Sequence, residues 1–380
     1  MTPPLIVIAA GGTAGHVVPA LAVADALQKE RARVIFVGGK RAEADLVPAA
    51  GYELHTIAVE PLHRRAPVKA ARATLIDTLA LRAAHRLVRA LRPAAVMGAG
   101  GYVSGPVGLA AALGRVPLVL IEADSHLGIA NRVLAPFAGR VCLAFPIPGK
   151  ADDGVENGSG DPRYLVTGRP VPPPATDRAA ARARFGIGSD EVCVLVFGGS
   201  LGARSINYAA IEAFAGARFR VLHAAGERDL PDLEARARAT PDQRYDLRGY
   251  IDHFGEALLA SDIVVSRAGG SIFEIAAAGR PAVLIPYPYA TGDHQTSNAR
   301  FMERAGAAVV IPDAELTPAR LAQEVGGLLA DQGRLRAMAR ASAALARPDA
   351  AQDIAHVVLS AAGGNAKRRP VEPVLQPRPK

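Results

Sequence analysis

Glu274, His294, Gln295 and Asn298 bring a carboxylate, an imidazole and two carboxamides onto one stretch of this chain. Side chains of these types hold polar ligands, because each supplies hydrogen-bond acceptors, donors or both. The stretch reads IVVSRAGGSIFEIAAAGRPAVLIPYPYATGDHQTSN from Ile263 to Asn298. Ile263, Val264 and Val265 form the short apolar run of a strand buried on both faces. Arg267-Ala268-Gly269-Gly270-Ser271 then turns tightly, and its glycines let a ligand approach the backbone. Ile272 to Ala278 is built of helix formers and stops at Gly279, so Glu274 falls in the first turn of a helix. A second strand, Ala282 to Ile285, leads into a polar loop carrying Asp293, His294, Gln295 and Asn298. Two strand ends thus present polar groups to one crevice, the place where open α/β sheets take ligands. An ordinary βα unit with a solvated loop has the same pattern.

Three further strand-to-helix turns are glycine-rich. Leu5 to Ala9 is a strand that opens onto Gly11-Gly12-Thr13-Ala14-Gly15 and a helix from about His16 to Lys29. Ala94 to Met97 leads to Gly98-Ala99-Gly100-Gly101-Tyr102-Val103-Ser104-Gly105, and Val192 to Phe197 leads to Gly198-Gly199-Ser200-Leu201-Gly202 and a helix from Arg204 to Phe214. Such a loop cradles phosphate through free N–H groups and the positive helix end. Several in one chain point to more than one phosphorylated ligand. A nicotinamide cofactor would want G-x-G-x-x-G and an acid ending the second strand. Here the loop is GGTAGH and the second strand ends in Gly38-Gly39-Lys40, so no such cofactor is expected. The chain has no D-x-D and no His or Cys cluster at metal spacing, and no obligatory protein-bound metal is expected. Glu122 and Asp124 flank one alanine after the strand Pro117 to Ile121, as an exposed strand end would.

The 380 residues are enough for a large core and two domains. Strands and helices alternate, and GGTAG and GGSLG recur about half a chain apart, so each half is expected to build its own parallel sheet. Cys142 and Cys193 sit in apolar runs, which fits buried thiols in a reducing compartment. MTPPLIVIAAGG lacks a basic leader, arguing against a signal peptide. Between Arg92 and Arg115 no residue is charged, but its glycines read as strand, loop and helix rather than a membrane span. Residues 146–176 are rich in proline, glycine and acids and read as a surface insertion followed by a linker. The net charge is +8, and it is local: residues 61–92 hold eight Lys and Arg against Asp77 alone, and the proline-rich tail from Lys367 holds five against Glu372. That distribution points to an anionic surface or ligand at those places, not to nucleic acid. From Ala361 the chain has the composition of disorder.

GGTAGHVVPALAVADAL, MGAGGYVSGPVGLAA, FGGSLGARSIN and SRAGGSIFEIAAAGRPAVLIPYP with DHQTSNA, in that order, resemble the MurG family of peripheral glycosyltransferases. The resemblance runs from Leu5 to about Ala361. It implies an α/β GT-B fold: two Rossmann-like parallel-sheet domains, 1–167 and 168–347, face a cleft. A last helix, 348–362, returns to the first domain, and 363–380 is a basic tail. It also implies inverting transfer of N-acetylglucosamine from UDP-N-acetylglucosamine to undecaprenyl-pyrophosphoryl-N-acetylmuramyl-pentapeptide, without a cofactor, on the cytoplasmic face of the bacterial membrane.

By the same resemblance, Ser200 approaches the nucleotide phosphates, Ile251 the uracil, Glu274 the ribose hydroxyls, and His294 and Gln295 the sugar. Thr13, Gly15, Asp124, Arg169, Gly269 and Gly270 are assigned to the donor side of the cleft, and Gly12, Ala14, Gly100, Gly101, Tyr102 and Ser104 to the acceptor side. His16 is the candidate base, since a helix N-terminus disfavours the imidazolium; alternatively it positions the acceptor diphosphate and Asp124 or Glu122 is the base. Arg72, Leu75, Ile76, Leu79 and Arg82 are expected to meet anionic inner-leaflet lipid. The chain departs from the family at three places. Ile121-Glu122-Ala123-Asp124 stands for H-E-Q-N, Gly168-Arg169-Pro170-Val171-Pro172 stands for G-N-P-V-R, and the Arg267–Glu274 loop is one residue shorter. Arg169 is the candidate substitute for the arginine that Pro172 replaces. A UDP-N-acetylglucosamine epimerase, or a GT-B transferase with another acceptor, is the alternative; the basic, apolar 61–92 segment favours the membrane-bound acceptor.

Overall fold

The computed structural model of the chain describes residues 2–59, 67–151, 161–199, 202–239 and 244–363, with the backbone alone at 67–78, 238, 239 and 291. Two parallel sheets form the architecture. The first holds β1 (Leu5–Ala9), β2 (Arg33–Gly38), β3 (Glu53–Thr56), β4 (Ala95–Gly98), β5 (Leu118–Glu122), β6 (Arg140–Leu143) and β7 (Tyr164–Val166) in the order β3-β2-β1-β4-β5-β6-β7. The second holds β8 (Cys193–Phe197), β9 (Arg220–Ala224), β10 (Tyr245–Arg248), β11 (Ile263–Ser266), β12 (Ala282–Leu284) and β13 (Ala308–Val310) in the order β10-β9-β8-β11-β12-β13. Their central strands are apolar at nearly every position because helices cover both faces. Cys142 and Cys193 are buried, free thiols within them.

In both sheets the winding reverses between the first strand and its right-hand neighbour, β1 beside β4 and β8 beside β11. Ala9 pairs with Gly98, and Phe197 with Ser266, so adjacent strands end level and their loops lie side by side. These are the two switch points where such sheets open a crevice. Every glycine loop of interest therefore follows a strand at a switch point.

The helix Ala14–Lys29 and the C-terminal helix Ala350–Ala362 share one face of the first sheet, with Ile354, Ala355, Val357 and Val358 buried in the same core as Ile6, Ile8 and Phe36. Pro67–Leu91 and Gly101–Leu113 cover the other face, through Ala84, Val88, Val103 and Val107. The two crossings between halves touch: a Cβ on Gly168 (φ +82°) would lie 2.5 Å from Cβ of Arg347. Phe145, just past β6, packs its ring 4.7 Å from Phe273 and 5.1 Å from Phe301, inside the second half's core.

Two expectations are corrected. The segment 146–176 is not only insertion and linker, because Tyr164–Val166 pairs with β6 as the seventh strand of the first sheet. The polar loop after Ile285 is shorter than expected, because His294 to Arg304 is a helix that carries His294 and Gln295 in its first turn. Among the described residues no helix is long and apolar enough to cross a membrane, and the uncharged stretch from Arg92 to Arg115 divides into β4 and the helix Gly101–Leu113.

Candidate active site

The two glycine loops of the first sheet pack backbone against backbone. Gly101 has φ +77°, and a Cβ there would fall 1.9 Å from the carbonyl oxygen of Gly11. Gly100 has φ +90°, and its missing Cβ leaves room for the His16 ring, whose Cδ2 would otherwise lie 2.6 Å away. Only glycine tolerates both the angle and the contact. Ser104 is buried with Oγ 2.9 Å from Ala9 O and 2.7 Å from Gly100 O, so its hydroxyl ties the loops together and its side chain is spent on that.

Glu43, which the sequence reading did not single out, holds the same loops from behind. It is fully buried and accepts hydrogen bonds from Gly12 N (2.9 Å), Gly39 N (2.8 Å) and Tyr102 OH (2.8 Å). Burial opposes its charge, yet the donors, Gly12 N–H first, outweigh it and hold the carboxyl below its ordinary value. Tyr102 is thereby turned into a brace, with Arg41 over its ring, and burial followed by the Glu43 bond pushes its phenol up to about 12. Glu43→Gln turns one acceptor toward an N–H as a second donor. It is expected to destabilise the fold by about 1–3 kcal/mol, the cost of an unsatisfied buried group, in urea unfolding.

His16 stands in the first turn of Ala14–Lys29, half-buried, with Nδ1 3.2 Å from Thr13 Oγ1. In the tautomer that donates Nδ1–H to Thr13, Nε2 accepts a proton over Gly100; in the other, Thr13 donates to Nδ1 and Nε2 carries the hydrogen. Burial lowers the pKa of His16, the Arg169 charge adds to the effect, and the Asp124 and Glu43 carboxylates oppose it. The imidazole is therefore neutral at physiological pH, the form a base requires. Thr13, Ala14 and Gly15 are exposed around it and Gly12 is half-buried.

Glu122 is not at an exposed strand end. It is buried and accepts from Asp124 N (3.1 Å), Gly128 N (2.8 Å) and Asn131 Nδ2 (3.0 Å), folding the loop that follows β5. These bonds make it a strut of the loop, and burial above all raises its pKa. Asp124, half-buried, remains beside His16 and Arg169.

Arg169 crosses the cleft. Its Nη2 donates to Gly15 O (2.6 Å) and its Nη1 to Ala123 O (3.3 Å), both in the first half. Its guanidinium carbon lies 2.6 Å from where a Cβ of Gly270 would be, in the second half. The absent side chain at Gly270 is what admits the guanidinium onto that loop. Burial lowers the Arg169 pKa, offset by the charges of Asp124, Glu274 and Glu122.

In the second half, Glu274 is half-buried in the first turn of Ile272–Ala277, and among the described residues its carboxylate takes no hydrogen bond. Burial raises its pKa above 4.5, with Arg169 opposing. The loop that carries it is anchored on both sides. Arg267 donates to Ile285 O, Pro286 O and Asp313 Oδ1, and Asn298 Nδ2 donates to Ala268 O. These two residues are buried struts. Gln295 accepts from Tyr287 N at 3.0 Å, its Nε2 beside Gly269. The His294 ring lies 6.4 Å from that of His126, which reaches over from the first half. The Ile251 side chain is in the core with Phe197 and Phe254, leaving only its main chain for a base. Ser200 lies outside the described residues.

Thus His16, Asp124 and Arg169 meet Glu274 and Gly270 across one cleft. Tyr102, Ser104 and Glu122 stand behind it; Ser104 was not readable as a strut because its partners are main-chain atoms, nor Glu122 because two of its three donors are main-chain N–H groups and the third is Asn131, nine residues on.

Two parallel-sheet domains whose loops oppose across a cleft are the GT-B architecture, and the family to which both domains match makes the chain a glycosyltransferase. Residues 6–143 match the glycosyltransferase family 28 N-terminal domain and residues 193–354 its C-terminal domain. The chain belongs to glycosyltransferase family 28. It is 42% identical to the UDP-N-acetylglucosamine–N-acetylmuramyl-(pentapeptide) pyrophosphoryl-undecaprenol N-acetylglucosamine transferase of Moorella thermoacetica, over 93% of this chain and 98% of the relative. It is 36% identical to the Halothermothrix orenii protein of the same name, over 95% and 100%. Among solved structures it resembles MurG of Acinetobacter baumannii, with TM-score 0.76 and 29% identity over 94% of this chain and all of that one.

Proposed function

We infer that this chain is the hexosyltransferase that moves N-acetylglucosamine from UDP-N-acetylglucosamine to undecaprenyl-pyrophosphoryl-N-acetylmuramyl-pentapeptide in peptidoglycan synthesis. What carries the reading is that the similarity to relatives named for this transfer runs through both domains, and hence through both walls of the cleft. In this reading Glu274 accepts the ribose hydroxyls and the loops after β8 and β11 hold the diphosphate by N–H groups. Arg169, resting on Gly270, supplies the positive charge that Pro172 does not. The acceptor diphosphate lies on the loops after β1 and β4. The acceptor's 4-hydroxyl gives its proton to Nε2 of His16 as its oxygen bonds to the anomeric carbon. The bond from that carbon to the β-phosphate oxygen breaks, UDP leaves, and the configuration inverts.

Purified protein with UDP-N-acetylglucosamine is expected to release UDP only when the lipid-linked acceptor is present. Epimerised sugar without acceptor, or UDP release indifferent to it, would overturn the reading.

The same reading has the enzyme dock on the cytoplasmic leaflet through the helix Pro67–Leu91. That helix buries Ala80, Ala84 and Val88 and turns Leu79, Arg82 and Arg86 outward. The side chains of Arg72, Leu75 and Ile76 lie outside the described residues. Each arginine near an anionic surface contributes about 1 kcal/mol, falling with salt. Sedimentation with liposomes should require anionic lipid and weaken as salt rises; equal binding to neutral vesicles would count against this surface.

A further inference from the structure

A cavity of about 370 Å³ opens in the first domain, within the size range of small-ligand sites. Its walls include His126, Arg132, Ile147, Lys150, Arg163 and Tyr164. Lys150 lies 4.7 Å over the Tyr164 ring and donates to its hydroxyl at 3.5 Å. Arg163 is committed to a bidentate pair with Asp161. Among the described residues Arg132 donates to Leu127 O and pairs with no carboxylate, while the Arg163 pair, with the charge of Lys150 added, holds the Asp161 carboxyl below its ordinary value. Among the described residues three cations, Arg132, Lys150 and Arg163, thus stand against the single carboxylate of Asp161 beside an apolar and aromatic wall, an excess of positive charge suited to an anionic peptide group.

Its position is the second observation. His126 is also the residue that reaches the other domain: its ring lies 6.4 Å from that of His294, and its Nε2 lies 2.8 Å from where Gly292 would carry a Cβ. The cavity thus shares a wall with the cleft.

We propose that this cavity binds a carboxylate of the acceptor's pentapeptide stem. The proposal rests on the acceptor named above. The stem hangs from the muramyl sugar through its 3-position, next to the 4-hydroxyl that attacks, so it must leave the cleft close to the donor sugar. Five extended residues reach about 17 Å, enough to carry a carboxylate from the transfer point into a neighbouring cavity. Ile147 and Tyr164 offer apolar surface to the aliphatic parts of the stem, while Lys150 and Arg132 take the charge. The glycine loops already account for the acceptor diphosphate, which leaves these cations to a second anionic group.

The test compares two lipid-linked acceptors, one with the native stem and one with every stem carboxylate converted to carboxamide. Lys150→Met and Arg132→Met keep the aliphatic length and remove the charge. Each is expected to raise KM for the native acceptor about tenfold or more, the loss of a hydrogen bond to a charged group. KM for UDP-N-acetylglucosamine and for the amidated acceptor should stay within about twofold. A rise equal for both acceptors, or none for either, overturns the proposal. If the cations serve the chain's own Asp152, Asp153 and Glu156, the variants lower the melting temperature and leave the ratio of the two KM values unchanged, which also overturns it. Parent enzyme that transfers to neither acceptor removes the acceptor reading itself and this proposal with it.

Discussion

His16→Ala is expected to cut the single-turnover transfer rate at least about a hundredfold while UDP binding stays at the parental level. Proton transfer by a positioned base contributes roughly 10²–10⁴-fold, and His16 is the neutral imidazole at the meeting of both N-terminal loops. Glu274 and the loops after β8 and β11 belong to the other domain, so UDP keeps those contacts in the alanine variant. The pH profile offers a second measurement. Burial and Arg169 hold the His16 pKa below 6.5. A base works deprotonated, so activity should persist below pH 6.5 and fall only as the pH drops through that lowered value. A rate within a few-fold of the parent would move the search to Asp124, the remaining half-buried carboxylate beside Arg169.

Glu274→Ala is expected to weaken UDP binding by about 1.5–3 kcal/mol in calorimetry, the range for hydrogen bonds to a charged group. The carboxylate is half-buried and takes no hydrogen bond among the described residues, so two ribose hydroxyls would complete it. Its pKa is raised by burial, against the pull of Arg169. The charged form is the stronger acceptor, so UDP affinity should decline as the pH falls through a value above 4.5. Glu274→Gln should keep more affinity than alanine. Unchanged affinity in a folded Glu274→Ala protein would take the residue out of the nucleotide site.

Much of the cleft was legible because strand, glycine turn and helix are local grammar. A run such as Ile263-Val264-Val265 must be buried on both faces, and Gly269-Gly270 before Ile272 must turn into a helix. The pairing of loops after β1 and β4, and after β8 and β11, follows from parallel winding once the strands are placed. The polar loop at His294 was misjudged because its helix starts without an apolar-periodic first turn; Ala299 and Met302 carry its buried side. β7 was hidden because three residues are too few to set a period.

Composition and order alone determined two α/β halves, four glycine turns at strand ends, a carboxylate in a helix's first turn and a basic, apolar segment at 61–92 with a helical region at 68–92. What only the tertiary structure decided is which charged residues face the ligand and which hold the walls. Nothing in the sequence singles out Glu43, yet it takes hydrogen bonds from Gly12, 31 residues away, and Tyr102, 59 away. Glu122 and Asp124 are two positions apart in one sequence motif, and only packing spends the first on Asn131 and Gly128. Arg169 acquires its place by reaching Gly15 across 154 residues and lying on a glycine of the opposite domain. A side chain's type is written locally, but whether its hydrogen bonds are already satisfied depends on partners that only the closed fold brings within 3 Å.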